Sequence, residues 1–426
     1  MSISAIGMAL CLPLAPALLP PLLILLTGFA VWPRAFRSRR GKLRPDGPLL
    51  WMLLLYLFHL IGLVWTRNMD FAGLDLGIKA PLLVFPLVFL FGRPLSKVGQ
   101  VHRWFIFANV LAVLICTLRA LLTFSLNLSA TSQPGAEPMT AFALSTPFFS
   151  SEFSLFIHPT YMAMYLTWAL ILLLRPDAVG RGSARWNIPA GIILLLGIAL
   201  CASKAGWLLV FLAGIAILVE RWSDPIIRRT MVTGLVGSFL LGLVLYSTTD
   251  YVHERVGQVV NALVGDAPTE DAANSTDDRR LVWRAAGALI SEQPWFGVGT
   301  GDVKDEMLRA YAERGYVDPL TKKLNAHDQY LNTAVALGLA GAAILILMIV
   351  VPLVFAFRRK DKLLIYFLLL NSLNWLVESM LEVQAGVMFF AFFAWLYTLD
   401  ERRTLPPTSN SCATSSSHDP LRTPPY

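Results

Sequence analysis

The stretch "LNAHDQYLNTAVALGLAGAA", residues 324–343, opens a long apolar run with a cluster of polar side chains. The cluster contains His327, Asp328 and Gln329, and the run that follows is long enough to cross a bilayer. A helix that only spans lipid has no use for an imidazole at its start. The stretch therefore predicts a membrane helix whose first turn carries a function.

The composition is that of a membrane protein with many spans. Hydrophobic residues make up 56% of the 426 residues and charged residues 15%, and the mean hydropathy is +0.60. These values differ from those of a soluble domain. Apolar runs near the ~20-residue length of a span predict about 11 or 12 transmembrane helices. The runs lie at 3–32, 48–65, 76–92, 104–125, 156–174, 187–202, 205–220, 231–247, 328–357, 363–380 and 384–399.

Basic residues are distributed unevenly over the connections between these runs. Connections rich in Arg and Lys alternate with connections that carry few, such as 66–75, 126–155 and the turns at Lys204 and Glu382. The positive-inside rule places the basic set in the cytoplasm. The net charge of +7 therefore reflects topology, and we expect no nucleic-acid partner. The basic set comprises 34–44, 93–103, 175–185, 221–229, 358–362 and 402–403.

This alternation divides the chain into four parts. Residues 1–247 form the N-terminal transmembrane helices, and we expect the proline-rich first run to be one kinked span or two short ones rather than a cleavable signal peptide. Residues 248–327 form one large outer loop, in which acidic residues outnumber Lys and Arg. Residues 328–400 form the C-terminal spans. The Pro-, Ser- and Thr-rich segment 401–426 is predicted to be a disordered cytoplasmic tail.

Polar groups from distant parts of the chain fall on the outer side of this predicted topology. Lys204 lies in a tight outer turn, and the stretch "RRLVWRAAGALI" late in the large loop has the spacing of an amphipathic helix. Their joint occurrence on one side predicts a functional site. Its candidate members are His158, Lys204, Arg279, Arg280, Arg284, His327, Asp328, Glu378 and Glu382.

Each candidate also has a structural explanation. Lys204 could extend its stem along the membrane interface, and for Arg279 we favour a solvated loop charge. Arg280 and Arg284, four residues apart on one helix face, repel each other unless an anion joins them. Glu378 and Glu382 are at least as well suited to be ion-pair partners of these arginines as to take a direct chemical role. We interpret His158 first as a helix cap. His327 is also suited to hydrogen bonding at a helix start, where the negative charge of Asp328 interacts favourably with the positive end of the helix dipole.

The residue types indicate a phosphate-bearing substrate. Guanidinium and ammonium groups bind phosphate, and a histidine can accept the proton of an attacking hydroxyl. The sequence shows no nucleotide-binding fingerprint, no cysteine pattern for zinc and no convincing metal cluster. An activated donor on the outer side must then come from the membrane. A lipid diphosphate fits, because cations can neutralise the departing pyrophosphate.

Three motifs resemble the O-antigen ligase/polymerase-related superfamily. They are "ASKAGWLL", "RRLVWRAAGALISEQPWFGVGTGD" and "LNAHDQYLNTAVALGLAG", in this order across a long outer loop. The segments "HPTYMAMYL" and "NWLVESMLEVQAGVMFFAFF" resemble a subgroup associated with Bacteroidetes-type members. Two positions depart from the common pattern, with Asp328 where Asn is usual and Lys204 where many members have Arg. The matching positions are Lys204, Arg280, Trp283, Pro294, Gly297, Gly299 and His327.

The resemblance implies an all-α, multi-pass, GT-C-like glycosyltransferase that needs no metal or other cofactor. It would move a glycan from undecaprenyl diphosphate to an acceptor hydroxyl at the periplasmic face of the bacterial inner membrane, inverting the anomeric carbon. Lys204 and Arg280 would hold the diphosphate with support from Arg284, and His327 would be the general base or orient the acceptor. Glu382 or Glu378 would be an alternative base or an arginine partner. The "GVGTGD" run lacks the context of a phosphate loop and predicts a tight turn.

Three functions stay open at this point. A ligase uses lipid A-core as acceptor and is favoured by motif order and loop position, whereas a polymerase uses another lipid-linked repeat unit and the same donor. A polysaccharide or lipid transporter would carry ionisable groups deep in the membrane, or repeats with broken spans. The sequence shows no clear repeat.

Overall fold

The computed structural model describes residues 2–31, 42–91, 97–131, 140–179, 184–248, 253 and 275–399. Every regular element within these ranges is a helix. The predicted tail at 401–426 and most of 249–274, within the predicted outer loop, lie outside the described residues.

The helices are numbered here in chain order. The first half contains α1 Ser2–Leu14, α2 Leu19–Val31, α3 Pro48–Ile61, α4 Met69–Lys79, α5 Pro81–Phe91, α6 Val98–Thr131, α7 Ala141–Ser145, α8 Ser150–Phe153, α9 Pro159–Leu173 and α10 Pro176–Val179. The second half contains α11 Ala184–Leu200, α12 Lys204–Glu220, α13 Pro225–Thr248, α14 Ser275–Glu292, α15 Val303–Glu313, α16 Val317–Lys322, α17 Gln329–Arg359, α18 Lys362–Trp375 and α19 Gln384–Leu399. Short 3₁₀ turns lie at Pro16–Leu18, Gly62–Trp65, Thr146–Phe148 and Met380–Glu382.

Three of the described helical segments are long and apolar enough to cross a membrane, namely Pro48–Trp65, α6 and α17. A fourth is added if α4 and α5, which meet at a 42° bend, form one broken span. Other apolar helices, including α9 and α19, have 10–17 residues, shorter than the ~20 residues that a full span needs. The described part of the chain is thus all-helical with several candidate spans, and the total of 11 or 12 stays a prediction.

Two predicted spans have different ends in the structure. The run 76–92 is not one helix, because α4 ends at Lys79 and α5 begins at Pro81, whose ring nitrogen has no hydrogen to continue the helical ladder. The run 363–380 is helical only to Trp375. Its last residues form a turn that continues to Gln384 and places Glu378 outside both flanking helices.

Helix α17, which follows the opening stretch of sequence, is kinked at Gly338. This residue has φ 66° and ψ −169°, a conformation that essentially only glycine adopts. The kink leaves the carbonyl groups of Val335 and Ala336 without helical partners, and the backbone N–H groups of Val298 and Gly299 donate to them, both at 2.9 Å. The loop after α14 therefore completes the interrupted helix.

The glycine-rich run "GVGTGD" joins this kink to the end of α3. The Thr300 hydroxyl donates to the carbonyl oxygen of His59 at 2.7 Å. The carboxylate of Asp302 accepts from the backbone N–H groups of Arg67 and Asn68, at 2.8 and 2.7 Å. Gly297 and Gly299 both have positive φ. The predicted tight turn is confirmed, and its function is to join helices that are distant in sequence.

Polar contacts pair the predicted cytoplasmic connections with one another. Arg103 donates to the carbonyl oxygen of Val179 at 2.8 Å, and Arg359 pairs with Asp46. Glu220 at the end of α12 pairs with both Arg175 and Lys362. The connections predicted to lie outside likewise contact one another, at Asp302 with Arg67 and Asn68. These contacts agree with the predicted alternation.

We expect Gly338→Ala to lower stability by about 2 kcal/mol or more. An added Cβ would lie 2.3 Å from the carbonyl carbon of Trp295, on a backbone that alanine adopts only under strain. Gly234→Ala is the matched control, because a Cβ at this helical glycine meets nothing within 4 Å. Thermal unfolding in detergent measures both variants. Equal melting temperatures would show that the kink does not require glycine.

Candidate functional site

His327 occupies the position immediately before the cap of α17. Asp328 is the N-cap, and its carboxylate accepts from the backbone N–H of Leu331 at 2.8 Å, so the predicted capping role of Asp328 is confirmed. His327 has φ 46°, and its own N–H donates to the side chain of Asn325 at 3.0 Å. The left-handed backbone turns the imidazole away from the path of the helix.

The imidazole of His327 faces a carboxylate. Its Nδ1 lies 3.4 Å from Oε1 of Glu378, which is longer than a well-formed hydrogen bond. The His327 side chain is 25% exposed and that of Glu378 is 8% exposed. One edge of the ring is thus backed by a buried carboxylate, and part of the ring is open to an incoming group.

Two further side chains contribute to the electrostatics of this pair. Burial raises the pKa of Glu378, but His327, Arg279 and His158 together lower it by more, so that the pKa of the carboxyl lies below its ordinary value. Glu378 is therefore ionised at neutral pH. We call His158, Arg279, His327 and Glu378 the outer cluster. Its members come from four separate segments of the chain.

Helix α14 supplies the three arginines, and the structure differs from the expectation for Arg279. Arg279, expected to be a solvated loop charge, is partly buried and interacts with Glu378 and His158. Arg280 is also partly buried, whereas Arg284 is exposed. The indole N–H of Trp283 donates to the carbonyl oxygen of Ala326 at 3.0 Å. Through this bond α14 contacts the residue that precedes His327.

His158 is confirmed as a helix cap. Its Nδ1 accepts from the backbone N–H of Thr160 at 3.4 Å, at the start of α9. The same side chain interacts with Glu378, His327 and Arg279. His158 is thus both the cap of α9 and a member of the outer cluster.

Lys204 lies at the same end of the bundle. It begins α12 after the Ser203 cap, whose hydroxyl accepts from the N–H of Gly206 at 3.2 Å. A Cβ on Gly206 would lie 2.5 Å from that of Ala163 in α9, so the first turns of α9 and α12 are in direct contact. Lys204 therefore begins its helix near the one that His158 caps.

Glu382 has different neighbours from those expected. Its carboxylate accepts from Lys79 Nζ at 2.7 Å and from Gln329 Nε2 at 3.0 Å. Burial raises the pKa of this carboxyl, and Lys79 and Gln329 lower it by more. Glu382 is thus an ion-pair partner of Lys79, not of an arginine.

Lys79 and Asp75 were not predicted to belong to this region, and Gln329 was predicted only as part of the polar cluster that opens its helix. Lys79 is 1% exposed and pairs with both Asp75 and Glu382. The signal in the sequence was the spacing of Asp75 and Lys79, four residues apart on one helix face beside an apolar run. When such a pair is buried, ion pairs and hydrogen bonds must offset the cost of removing its charges from water.

The segment that holds most of these residues is known from other proteins. Residues 189–346 match the sequence model of the family described as O-antigen ligase. This segment of the chain matches an O-antigen ligase domain. No curated protein matches the sequence.

The O-antigen ligase domain covers α12, α14, the glycine-rich turn and the first half of α17. It therefore contains Lys204, Arg279, Arg280 and His327, whereas His158 and Glu378 lie outside it. Within the described residues, no group of three or more His, Cys, Asp or Glu is arranged to hold a metal ion. Independence from metal stays a prediction.

We expect the contribution of Glu378 to stability to depend on pH. Its pKa is lower in the folded protein than the ordinary value of 4.5. The stabilisation from its ionised form is therefore complete above this value and is lost as pH falls through the folded pKa. The difference in melting temperature between the wild type and Glu378→Gln should become smaller as the pH is lowered below about 4.5. A difference that stays constant from neutral pH to pH 3 would contradict the ionic role of Glu378.

Proposed function

We propose that this chain transfers a glycan from undecaprenyl diphosphate to a sugar hydroxyl of lipid A-core at the periplasmic face of the bacterial inner membrane. The observation that carries the proposal is the contact between His327 and Glu378, placed beside arginine-bearing α14 within a chain that has an O-antigen ligase domain. The chemistry needs a base at this point and cations close to it.

His327 acts as the general base. With Nδ1 directed at Glu378, the neutral imidazole carries its proton on Nδ1 and keeps the lone pair of Nε2 for the acceptor hydroxyl. The acceptor oxygen attacks the anomeric carbon as its proton passes to Nε2. Glu378 stabilises the imidazolium that results, as a buried carboxylate does for other catalytic histidines. Such a positioned base accelerates a reaction by about 10²–10⁴-fold.

The arginines and Lys204 bind the leaving group. The bond between the anomeric carbon and the phosphate oxygen breaks as the new glycosidic bond forms, and its electron pair leaves with undecaprenyl diphosphate. Arg280 and Lys204 hold the diphosphate, with Arg284 in support, and neutralise its charge. Attack and departure on opposite sides of the anomeric carbon invert its configuration.

Arg279 and Glu378 take parts that differ from the expectation. Arg279 interacts with Glu378 and His158, so it belongs beside the base. Glu378 rather than Glu382 is the carboxylate partner of His327, since Glu382 is committed to Lys79.

A transporter is the second candidate, and one observation favours it. The bent pair α4 and α5 has the geometry of a broken span or a re-entrant loop, and Asp75, Lys79 and Glu382 lie beside it, as ionisable groups do in membrane transport proteins. Two observations argue against transport. Lys79 pairs with Glu382 in the turn that precedes α19, and Glu378 of the outer cluster lies in the same turn. A polymerase uses the same donor and site as the ligase and differs only in its acceptor.

A transfer reaction with purified protein in liposomes tests the proposal. The donor is undecaprenyl-diphosphate-linked glycan, with and without lipid A-core, in the presence of EDTA, and the products are separated by gel. We expect a product only when lipid A-core is present. Longer lipid-linked chains without lipid A-core would make the protein a polymerase. No product in either reaction, with glycan moved across the liposome membrane, would make it a transporter.

His327→Ala should reduce transfer by more than about 10²-fold, because the base is lost. His253→Ala is the matched control, since that side chain is exposed and has no role in the proposal. We further expect Arg280→Ala to lose more activity than Arg279→Ala. Normal transfer by His327→Ala would refute the assignment of His327 as the general base. Equal losses in the two arginine variants would show that both bind the diphosphate.

A further inference from the structure

A buried ionic network lies directly beside the outer cluster. Lys79 Nζ lies 2.7 Å from Oε2 of Glu382 and pairs with Asp75 one helical turn earlier. The side chains of Lys79, Asp75 and Glu382 are 2%, 6% and 18% exposed. Burying such a triad costs desolvation energy, and well-packed apolar side chains are often as stable or more so. Hydrophobic packing alone does not explain why charges occupy this place.

Gln329 connects this triad to α17. Its Nε2 donates to Glu382 at 3.0 Å and to the Thr333 hydroxyl at 3.1 Å. Its Oε1 accepts from the backbone N–H of Leu381 at 2.6 Å. Gln329 is 1% exposed. One side chain thus fixes the first turn of α17 to the turn that contains both Leu381 and Glu382.

The two ends of this network are close to the proposed base and its partner. Gln329 lies two residues after His327, and Glu382 lies four residues after Glu378. Nδ1 of His327 and Oε1 of Glu378 lie 3.4 Å apart, which is long for a hydrogen bond. Their separation is therefore determined by the backbone segments that carry them. Lys79, Glu382 and Gln329 fix those segments to each other.

We propose that Lys79, Glu382 and Gln329 form a positioning network that holds Glu378 against His327. This inference rests on the proposed function, in which His327 is the base and Glu378 orients it. The three residues act through the turn 378–382 and do not touch the substrate. Hydrogen bonds have a direction that apolar contacts lack, so they set the register between the two segments.

Small errors in such a register matter for catalysis. A misplacement of about 1 Å at reacting groups lowers a rate by about 10²-fold. A positioning network therefore predicts a loss in kcat without a loss in donor binding. A phosphate-binding role for Lys79 would instead predict a higher KM for the donor.

The chain contains a matched control at the opposite end of the bundle. Arg175 lies 2.9 Å from Glu220, with side chains 5% and 13% exposed, and Lys362 lies 2.8 Å from the same carboxylate. The Arg175–Glu220 pair is buried to a similar degree as Lys79 and Glu382, whereas the Lys362 side chain is half exposed. This ion-pair network connects α9, α12 and α18 far from the outer cluster, so Glu220→Gln tests the general cost of breaking a buried ion pair.

The experiment compares Glu382→Gln and Lys79→Met with Glu220→Gln in the liposome transfer assay. We expect both network variants to lower kcat by at least about tenfold, with the donor KM within about twofold. The double variant should be no worse than the poorer single variant, because the two residues act as one unit. Glu220→Gln should lower the melting temperature while its kcat stays within about twofold of the wild type. If a single variant fails to fold, the neutral triple variant Asp75→Asn, Lys79→Met, Glu382→Gln leaves no buried charge unpaired and takes its place.

Hydrogen exchange provides a readout that does not depend on turnover. The network predicts faster exchange of the Leu381 amide and its neighbours in Glu382→Gln, with no change there in Glu220→Gln. Unchanged exchange, or a kcat loss equal to that of Glu220→Gln, would overturn the proposal. A higher donor KM at constant kcat would assign Lys79 to donor binding and also overturn it. If the wild-type protein transfers no glycan but exchange is faster in Glu382→Gln as expected, the proposed function is refuted. The inference that the network fixes the turn 378–382 to α17 would still stand.

Discussion

The backbone of α17 leaves the helical conformation at Gly338, in a space where a side chain would collide with Trp295. The interruption exposes carbonyl groups that a buried helix cannot leave unpaired. The glycine-rich turn supplies the missing donors, and Thr300 and Asp302 attach that turn to the end of α3. Because the first part of α17 is held in this way, His327 at its start has a fixed place beside the turn that carries Glu378.

Charge is arranged in two layers around that place. His327, Arg279 and His158 lie around the buried carboxylate of Glu378 in one layer, and Lys79, Asp75 and Glu382 form a second, largely buried one. The first layer has the groups that the proposed proton transfer uses. The second layer has one ammonium group between two carboxylates, which suits the positioning of backbone segments rather than chemistry. The distinction explains why two glutamates four residues apart take unlike roles.

Three helices that are shorter than a full span end at the outer cluster. Helices α9, α18 and α19 have 15, 14 and 16 residues, which gives lengths of about 21–24 Å, less than the ~30 Å hydrocarbon thickness of a bilayer. Each has one end at the outer cluster, where His158 precedes α9 and Glu378 lies between α18 and α19. Short helices of this kind leave room at their ends for polar groups within reach of a lipid headgroup.

The sequence by itself determined the all-helical class and showed the segregation of basic connections, because helical periodicity and charge distribution are local properties. The side of the membrane on which the polar residues lie stays a prediction. The sequence also indicated the cap at Asp328, the cap at His158 and the tight glycine turn, each of which depends on a few neighbouring residues. Only the tertiary structure decided that Glu378 faces His327, that Glu382 pairs with Lys79 and that Arg279 joins the cluster. These pairings join segments up to about three hundred positions apart, as from Lys79 to Glu382, and follow from the bend at Ala80 and the kink at Gly338. Contacts over such separations depend on how helices pack, which no local pattern of residues contains.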